Sequence, residues 1–225
     1  MSIIFINGVN NKVKLDESIR GAFELEFFSC NNSFYNINQY NRNITVEHFD
    51  GISTTTNNLS LQEGFYDGYS LASELQAQLG TITSGYTVSY SPTRSKFTLQ
   101  QSTPSHTFNI LFSNNVPLGT ILGFDGNTEH NSQHISSNVC DFNPVKLVFM
   151  KIAESSNYVY GSNHFTSTCY MYDTDSSFGS HFTFKPQTKH VFKIDNTNTL
   201  TFSFYDKDWN TLDIKNFSII LKKIA

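Results

Sequence analysis

Charge and cysteine are both scarce in this chain. Lys and Arg number 15 and Asp and Glu 19, a charged share of 15% and a formal net charge of −4. No stretch gathers basic residues, the N-terminal arm included. A phosphate backbone is held by clustered Lys and Arg that release its counterions. Specific nucleic-acid binding and direct genome packaging are therefore not expected, and the basic patch of a membrane-surface protein is missing too. Cys30, Cys140 and Cys169 are odd in number, widely spaced and without a C-x-x-C pair. That pattern argues against a disulfide framework and for free, mostly buried thiols in a reducing compartment. The apolar run in Met1-Ser2-Ile3-Ile4-Phe5-Ile6-Asn7 is too short for a signal peptide and has no basic start. No run approaches the roughly 18 apolar residues of a membrane span. A soluble protein made in the cytosol is expected.

What the chain has instead is aromatic. Phe contributes 21 residues and Tyr 11, an aromatic share of 15% including the single Trp. Aromatic and β-branched side chains suit a pleated, half-buried surface. Asn, Ser, Thr and Ile are also plentiful, and the bias toward residues with AT-rich codons fits a low-GC genome. Glycosylation sequons stand at Asn31, Asn43, Asn58 and Asn216; in so Asn-rich a chain, with no secretion signal expected, chance accounts for them.

Apolar and polar residues alternate along nearly the whole sequence, the period of a strand with one buried face. The alternating sets are Val13/Leu15, Phe23/Leu25/Phe27, Ile44/Val46, Tyr86/Val88/Tyr90, Phe97/Leu99 and Phe108/Ile110/Phe112. They continue with Val145/Leu147/Phe149, Phe182/Phe184, Val191/Ile194, Leu200/Phe202/Phe204, Leu212/Ile214 and Phe217/Ile219/Leu221. Glu24 and Glu26 fall on the outward face of their strand. Roughly a dozen short strands separated by Asn, Gly, Ser and Pro clusters indicate a sandwich or barrel. Ser91-Pro92-Thr93-Arg94 and Asp206-Lys207-Asp208-Trp209-Asn210 read as hairpin turns. The stretches Asn127–Asn138 and Ser155–Asn163 read as exposed loops.

One segment departs from period two. Leu71, Leu75 and Leu79 put an apolar stripe on one face of a short helix over about 70–79. Ser70 is the expected N-cap, with Glu74 near the positive end of the dipole and Gly80 a left-handed stop. The helix should cover Leu118, Leu122 and Phe124, with Gly119 and Gly123 turning the backbone closely around it. The expected fold class is all-β, an antiparallel β-sandwich over residues 1–225 as one domain, with one short helix.

Local catalytic motifs are missing: no nucleophile elbow, P-loop or dinucleotide fingerprint occurs, and no Ser/His/Asp arrangement selects a triad. His130 and His134 have helical metal-ligand spacing but sit in a polar stretch with no helix pattern. Asp206-x-Asp208-x-Asn210 opens like a calcium loop, yet Thr211 and Phe217 stand where the loop needs Gly and Glu; Asp173-x-Asp175 fails with Phe184 at the last position. No enzyme activity, metal or cofactor is expected. Tyr158, Tyr160, Tyr170, Tyr172 and Trp209 are candidates for a sugar-stacking platform, set against their commoner use in cores and subunit contacts.

Two stretches carry a family likeness. The first runs from Glu63-Gly64-Phe65-Tyr66 through Leu71, Leu75 and Leu79, the hairpin Tyr86–Gln100 and the strand His106–Phe112. It closes on Leu118-Gly119-Thr120-Ile121-Leu122-Gly123-Phe124. The second runs from Leu200 to Ile214 and ends in Phe217-Ser218-Ile219-Ile220-Leu221, with Trp209-Asn210 where the turn commonly has Gly. Together they cover somewhat under half the chain. They resemble the penton and minor capsid proteins of virophages, polinton-like elements and related large DNA viruses. The resemblance implies a single jelly roll whose structural motif comprises Gly64, Tyr66, Leu71, Leu75, Leu79, Leu118, Leu122, Gly123 and Phe124. It also implies a homopentamer at the vertex of an icosahedral capsid, made in the host cytoplasm and touching the double-jelly-roll major capsid protein. The alternative is a binding module, the trimeric head of a viral fibre or a lectin-like attachment domain.

Overall fold

The computed structural model describes residues 3–9, 11–31, 34–143, 147–156, 158–160, 163–165, 168–172, 179–186, 190–206, 208–214 and 216–224. The chain divides into two compact units, the first Met1–Phe34 with Val145–Ala225 and the second Tyr35–Pro144. The second is thus inserted between two halves of the first. Strands dominate, all described pairings are antiparallel, and the architecture is that of a jelly-roll β-sandwich. No helix among the described residues is long and apolar enough to cross a membrane.

In chain order unit 1 begins with β1 (Ile3–Gly8) and β2 (Lys12–Asn31). Unit 2 holds β3 (Asn43–Phe49), β4 (Thr54–Ser60), α1 (Gly68–Leu79), β5 (Tyr86–Ser91), β6 (Lys96–Gln101), β7 (Thr107–Ile110), a 3-10 turn (Phe112–Asn114), α2 (Val116–Leu122) and β8 (Gln133–Ile135). Unit 1 resumes with β9 (Leu147–Ile152), β10 (Ser155–Ser156), β11 (Tyr158–Tyr160), β12 (Asn163–Phe165) and β13 (Thr168–Tyr172). It ends with β14 (His181–Phe184), β15 (Val191–Tyr205), β16 (Thr211–Leu212) and β17 (Phe217–Lys223).

Unit 1 is organised by two long strands. The sheet order is β1-β17-β2-β15-β9-β13, with β14 on β2 and β10 and β16 on β15. The sequence reads Val13/Leu15 and Phe23/Leu25 as two strands; they are one strand of 20 residues, bent at Gly21, whose φ of +125° is a glycine conformation. β15 likewise joins two expected strands, its register slipping between Ile194 and Thr199. Such bulges let a strand bend and twist while it keeps pairing. A third irregularity falls between Ile220 and Leu221, where Ile220 pairs Phe27 but Leu221 pairs Leu25. Glu26 is the extra residue, so inside and outside exchange: Phe28, not Phe27, enters the core. β9 is also out of phase with expectation. Val148, Met150 and Ile152 face the core, while Phe149 lies beneath Trp209. Val145 lies outside the described residues.

The core of unit 1 centres on phenylalanines. Phe28 lies 6.0, 5.6 and 6.4 Å from the rings of Phe182, Phe204 and Phe217, separations that favour edge or offset contacts. Unit 2 encloses its own core between two three-stranded sheets, β4-β3-β7 and β5-β6-β8, and its helices.

The expected helix forms, two residues longer at its start. Asp67 is the N-cap, and Ser70 is the third helical residue of a reciprocal capping box: Ser70 N donates to Asp67 Oδ1 at 2.7 Å and Asp67 N to Ser70 Oγ at 3.0 Å. Gly80 ends the helix in the right-handed region (φ −63°), not the left-handed one. A second helix, α2, occupies the Leu118–Leu122 stretch. Asn115 Oδ1 accepts from Leu118 N, Pro117 stands in the first turn, and Gly123 closes it at φ +79°. The Asn127–Asn138 stretch is not a free loop. It is pinned by Thr128 N to Ile110 O (3.0 Å) and by an Asn131–Phe108 bridge, and it contributes β8 beside β6.

Candidate assembly surface

β1 is apolar on both faces. Ile6 is buried and Ile4 half-buried against the core, whereas Phe5 is 71% and Ile3 51% exposed. A continuous apolar run with strand neighbours is the sequence sign of a strand covered on both sides. The run Ile3–Ile6 carries that sign. Pairing sets Phe5 beside Ile220 and Ile220 beside Phe27, with Ile3 beside Lys222. The result is a groove of about 460 Å³ lined by Ile3, Phe5, Glu26, Phe27, Lys185, Ile220 and Lys222. The bulge at Glu26 creates it, since regular alternation would have sent Phe27 inward. Lys222 Nζ reaches Glu26 Oε1 at 2.9 Å along the rim, and that hydrogen bond raises the Lys222 pKa.

Among the described residues β1 pairs with β17 alone, so its other edge presents unpaired backbone. An exposed edge beside an apolar face is a template for another chain unless something covers it. The groove lining holds no Ser, Thr, Cys or His, and its Glu26 is paired with Lys222 on the rim. Its chemistry suits association.

The residues singled out from the sequence lie in unit 2. Leu71, Leu75, Leu79, Leu118, Leu122 and Phe124 share one buried cluster, and Phe124 stacks on Phe112 at 4.9 Å. Gly64 bridges Ile37, with Gly64 N donating to Ile37 O at 2.9 Å. Tyr66 is clasped by buried Asn36: Asn36 Nδ2 donates to Tyr66 O at 2.7 Å and Tyr66 N to Asn36 Oδ1 at 2.9 Å. At Gly123 an added Cβ would stand 2.4 Å from Asn138 O, so sterics as well as φ require glycine there. The motif is therefore a packing unit, and none of its side chains lines the β1 groove.

The metal candidates separate. His130 Nε2 lies 3.7 Å from Glu47 Oε2, while buried His134 meets Phe108 O at 2.8 Å through Nε2. Asp206 spends its carboxylate on its own turn, accepting from Asp208 N at 2.8 Å, Asn210 N at 2.9 Å and Asn210 Nδ2 at 2.9 Å. Among the described residues no three His, Cys, Asp or Glu converge as a metal site would require. Asp173 and Asp175 lie outside the described residues, as do the side chains of Tyr158, Tyr160, Tyr170 and Tyr172. Trp209 takes a left-handed φ of 63° in the turn where Gly is common and lays its indole on Phe149 at 4.9 Å while 56% exposed. Cys30 is buried and Cys140 half-buried, and burial raises the Cys140 pKa to about 11.

No protein-family model and no curated protein matches the chain. Solved structures do. One is the crystal structure of selenomethionine-labelled mavirus penton protein, with a TM-score of 0.58, 11% sequence identity and an alignment covering 100% of each chain. At that identity the likeness is one of fold, and this chain has a penton-like fold.

Proposed function

We propose that this protein is a structural virion protein and not an enzyme: a capsid subunit that forms the pentameric vertex capsomer of an icosahedral DNA virus. One observation carries the reading, the likeness of fold to a penton protein over the full length of both chains. The family resemblance of the Gly64–Phe124 and Leu200–Leu221 stretches points the same way. In this reading residues 1–225 act as one capsid building block, with unit 2 as an insertion between β2 and β9. The Gly64, Tyr66, Leu71, Leu75, Leu79, Leu118, Leu122, Gly123 and Phe124 set serves it by packing. The protein is made in the host cytoplasm and resides at the vertex of the virion. It meets copies of itself around the ring and the double-jelly-roll major capsid protein of the same virus at the periphery.

The β1 groove supports self-association. Phe5 and Ile3 lie outside the core, and a closed ring arises when one head-to-tail contact repeats until the rotation closes. Each contact should bury on the order of 1,200 Å² or more in total. The test is co-expression with the major capsid protein from the same genome, followed by imaging of the particles. Five copies of this chain around each five-fold vertex are expected. A three-fold assembly projecting from the vertex would overturn the reading in favour of a fibre head.

A further inference from the structure

The two sheets of unit 2 meet along a seam occupied by an unusual polar chain. His48 projects from β3 and is buried. Its Nδ1 lies 2.8 Å from the hydroxyl of Tyr86 on β5, in the other sheet, and its Nε2 lies 3.2 Å from Nδ1 of His106, which leads into β7. Apolar contacts finish the seam: Tyr86 meets Phe108 edge-on at 5.1 Å, and Phe108 meets His134 at 4.5 Å.

We propose that the Tyr86–His48–His106 chain is an acid-sensitive latch between the two sheets of unit 2, closed while the two imidazoles hold at most one extra proton and released by the second. The reason is a count of protons. The contact between His48 Nε2 and His106 Nδ1 accommodates a single hydrogen. Neutral rings satisfy it in either direction, with Tyr86 donating to or accepting from His48 Nδ1. One added proton is also accommodated, since either ring can carry it while the other accepts. Two added protons put N–H against N–H across 3.2 Å, with no acceptor between the rings for either.

The groups around the pair are few. Asp50, at the exposed end of β3, interacts favourably with His106, and its carboxylate is held below the ordinary value chiefly by the Ser53 and Ile52 backbone N–H groups. His106 is half-exposed, whereas His48 is buried. Burial, then the neighbouring His106, holds the His48 pKa below 6.5, with Asp50 opposing. β4 presents Thr55, which bonds the His48 carbonyl, and β7 presents Phe108. Glu47, with His130, lies on the opposite face of β3, by strand alternation. Unfolded chain binds more protons than folded chain between the lowered value and 6.5. Stability is therefore complete above 6.5 and falls as pH drops through that window.

The inference does not depend on the capsid reading. Amide hydrogen exchange of the full chain, followed by mass spectrometry from pH 8 to pH 4.5 with correction for intrinsic rates, reads the seam directly. Protection of β3, β5 and β7 should fall at least tenfold below pH 6. His106→Gln presents an amide oxygen that accepts from His48 in either protonation state, so it should move that loss down by about one pH unit while leaving the pH 8 pattern unchanged. Imidazole nitrogen NMR shifts provide the second reading: the two rings should titrate as a coupled pair. An identical acid profile in wild type and His106→Gln, or titration of both rings as independent groups, would overturn the latch.

Discussion

Unit 1 and unit 2 enclose cores of nearly equal size, nineteen and eighteen buried apolar residues among those described, yet they are built differently. Unit 1 relies on two long strands and has seven phenylalanines in its core cluster; unit 2 has four, with short strands and two helices. The buried polar side chains divide unevenly as well. Among the described residues Asn36, Asn41, His48, Gln101, His134 and Ser136 belong to unit 2 and Ser29 to unit 1. Apolar burial is indifferent to pH and direction. Buried polar groups fix geometry but penalise every missing partner, and every buried side-chain nitrogen or oxygen among the described residues has one. Unit 1 should accordingly yield to lost volume, and unit 2 also to lost hydrogen bonds and added protons.

The sharpest way to test that contrast is Phe28→Ala. The ring is fully buried among Phe182, Phe204 and Phe217. Its removal should cost about 3–5 kcal/mol in transfer and cavity terms, seen as a lower urea midpoint with its m-value unchanged. A loss below about 1 kcal/mol would mean that the aromatic cluster collapses freely and that volume is not what holds unit 1.

Asn36→Ala tests the other side. It strips partners from the Tyr66 amide and carbonyl and from Phe142 O, which Asn36 Nδ2 also reaches at 3.2 Å. Unsatisfied buried groups should make this cost about 1–3 kcal/mol despite the small volume removed. If Asn36→Ala leaves the midpoint where it is, the polar frame of unit 2 is ornamental and the comparison fails.

How far each unit was legible in the sequence follows from the same contrast. Period two found most strands in both units, because one face of each is apolar. It failed where residues on both faces are apolar, as in β1 and β9, and where a bulge shifts the phase, as at Glu26. Nothing local announces a bulge whose cause is the partner strand. The α1 stripe at Leu71, Leu75 and Leu79 was legible because its period differs from its surroundings. The signals of α2 (Asn115, Pro117 and Gly123) were present too, but a seven-residue helix gives too short a stripe to stand out. Of the residues from Gly64 to Phe124 that the resemblance names, Leu71, Leu75, Leu79, Leu118, Leu122 and Phe124 share the buried cluster of unit 2. The exposed groove at Phe5 and Phe27 and the His48–His106 pair, 58 residues apart, were invisible because their partners meet only in three dimensions.

A smaller effect is expected at the start of α1. Asp67→Ala removes the acceptor of the Ser70 N bond at 2.7 Å and opens the capping box. The cost should be about 1 kcal/mol, with Asp67→Asn recovering most of it. Ser70→Ala should cost less than Asp67→Ala, since it removes the hydroxyl's contacts with Asp67 but leaves the Ser70 N bond to Asp67 Oδ1 in place. The reverse order would restore Ser70 as the principal cap and place the helix start two residues later.

The smallest effect on stability should come from Phe5→Ser. The ring is 71% exposed in the isolated chain, and substitutions at such positions usually change stability by no more than about 0.5 kcal/mol. The urea midpoint should therefore stay put, in contrast to Phe28→Ala in the same unit. Assembly should not. An aromatic anchor in the middle of a contact typically contributes about 2 kcal/mol or more to binding, and the vertex reading places Phe5 in a contact repeated around the ring. Particles assembled with Phe5→Ser should have sharply reduced vertex occupancy while the soluble chain folds normally. Ile52→Ser is the control, because Ile52 is more exposed still at 91% yet sits in a turn of unit 2 and does not line the β1 groove. Normal occupancy with Phe5→Ser would remove β1 from the interface. A fallen midpoint would show instead that Phe5 packs within the chain, and the division of β1 into a core face and an assembly face would be wrong.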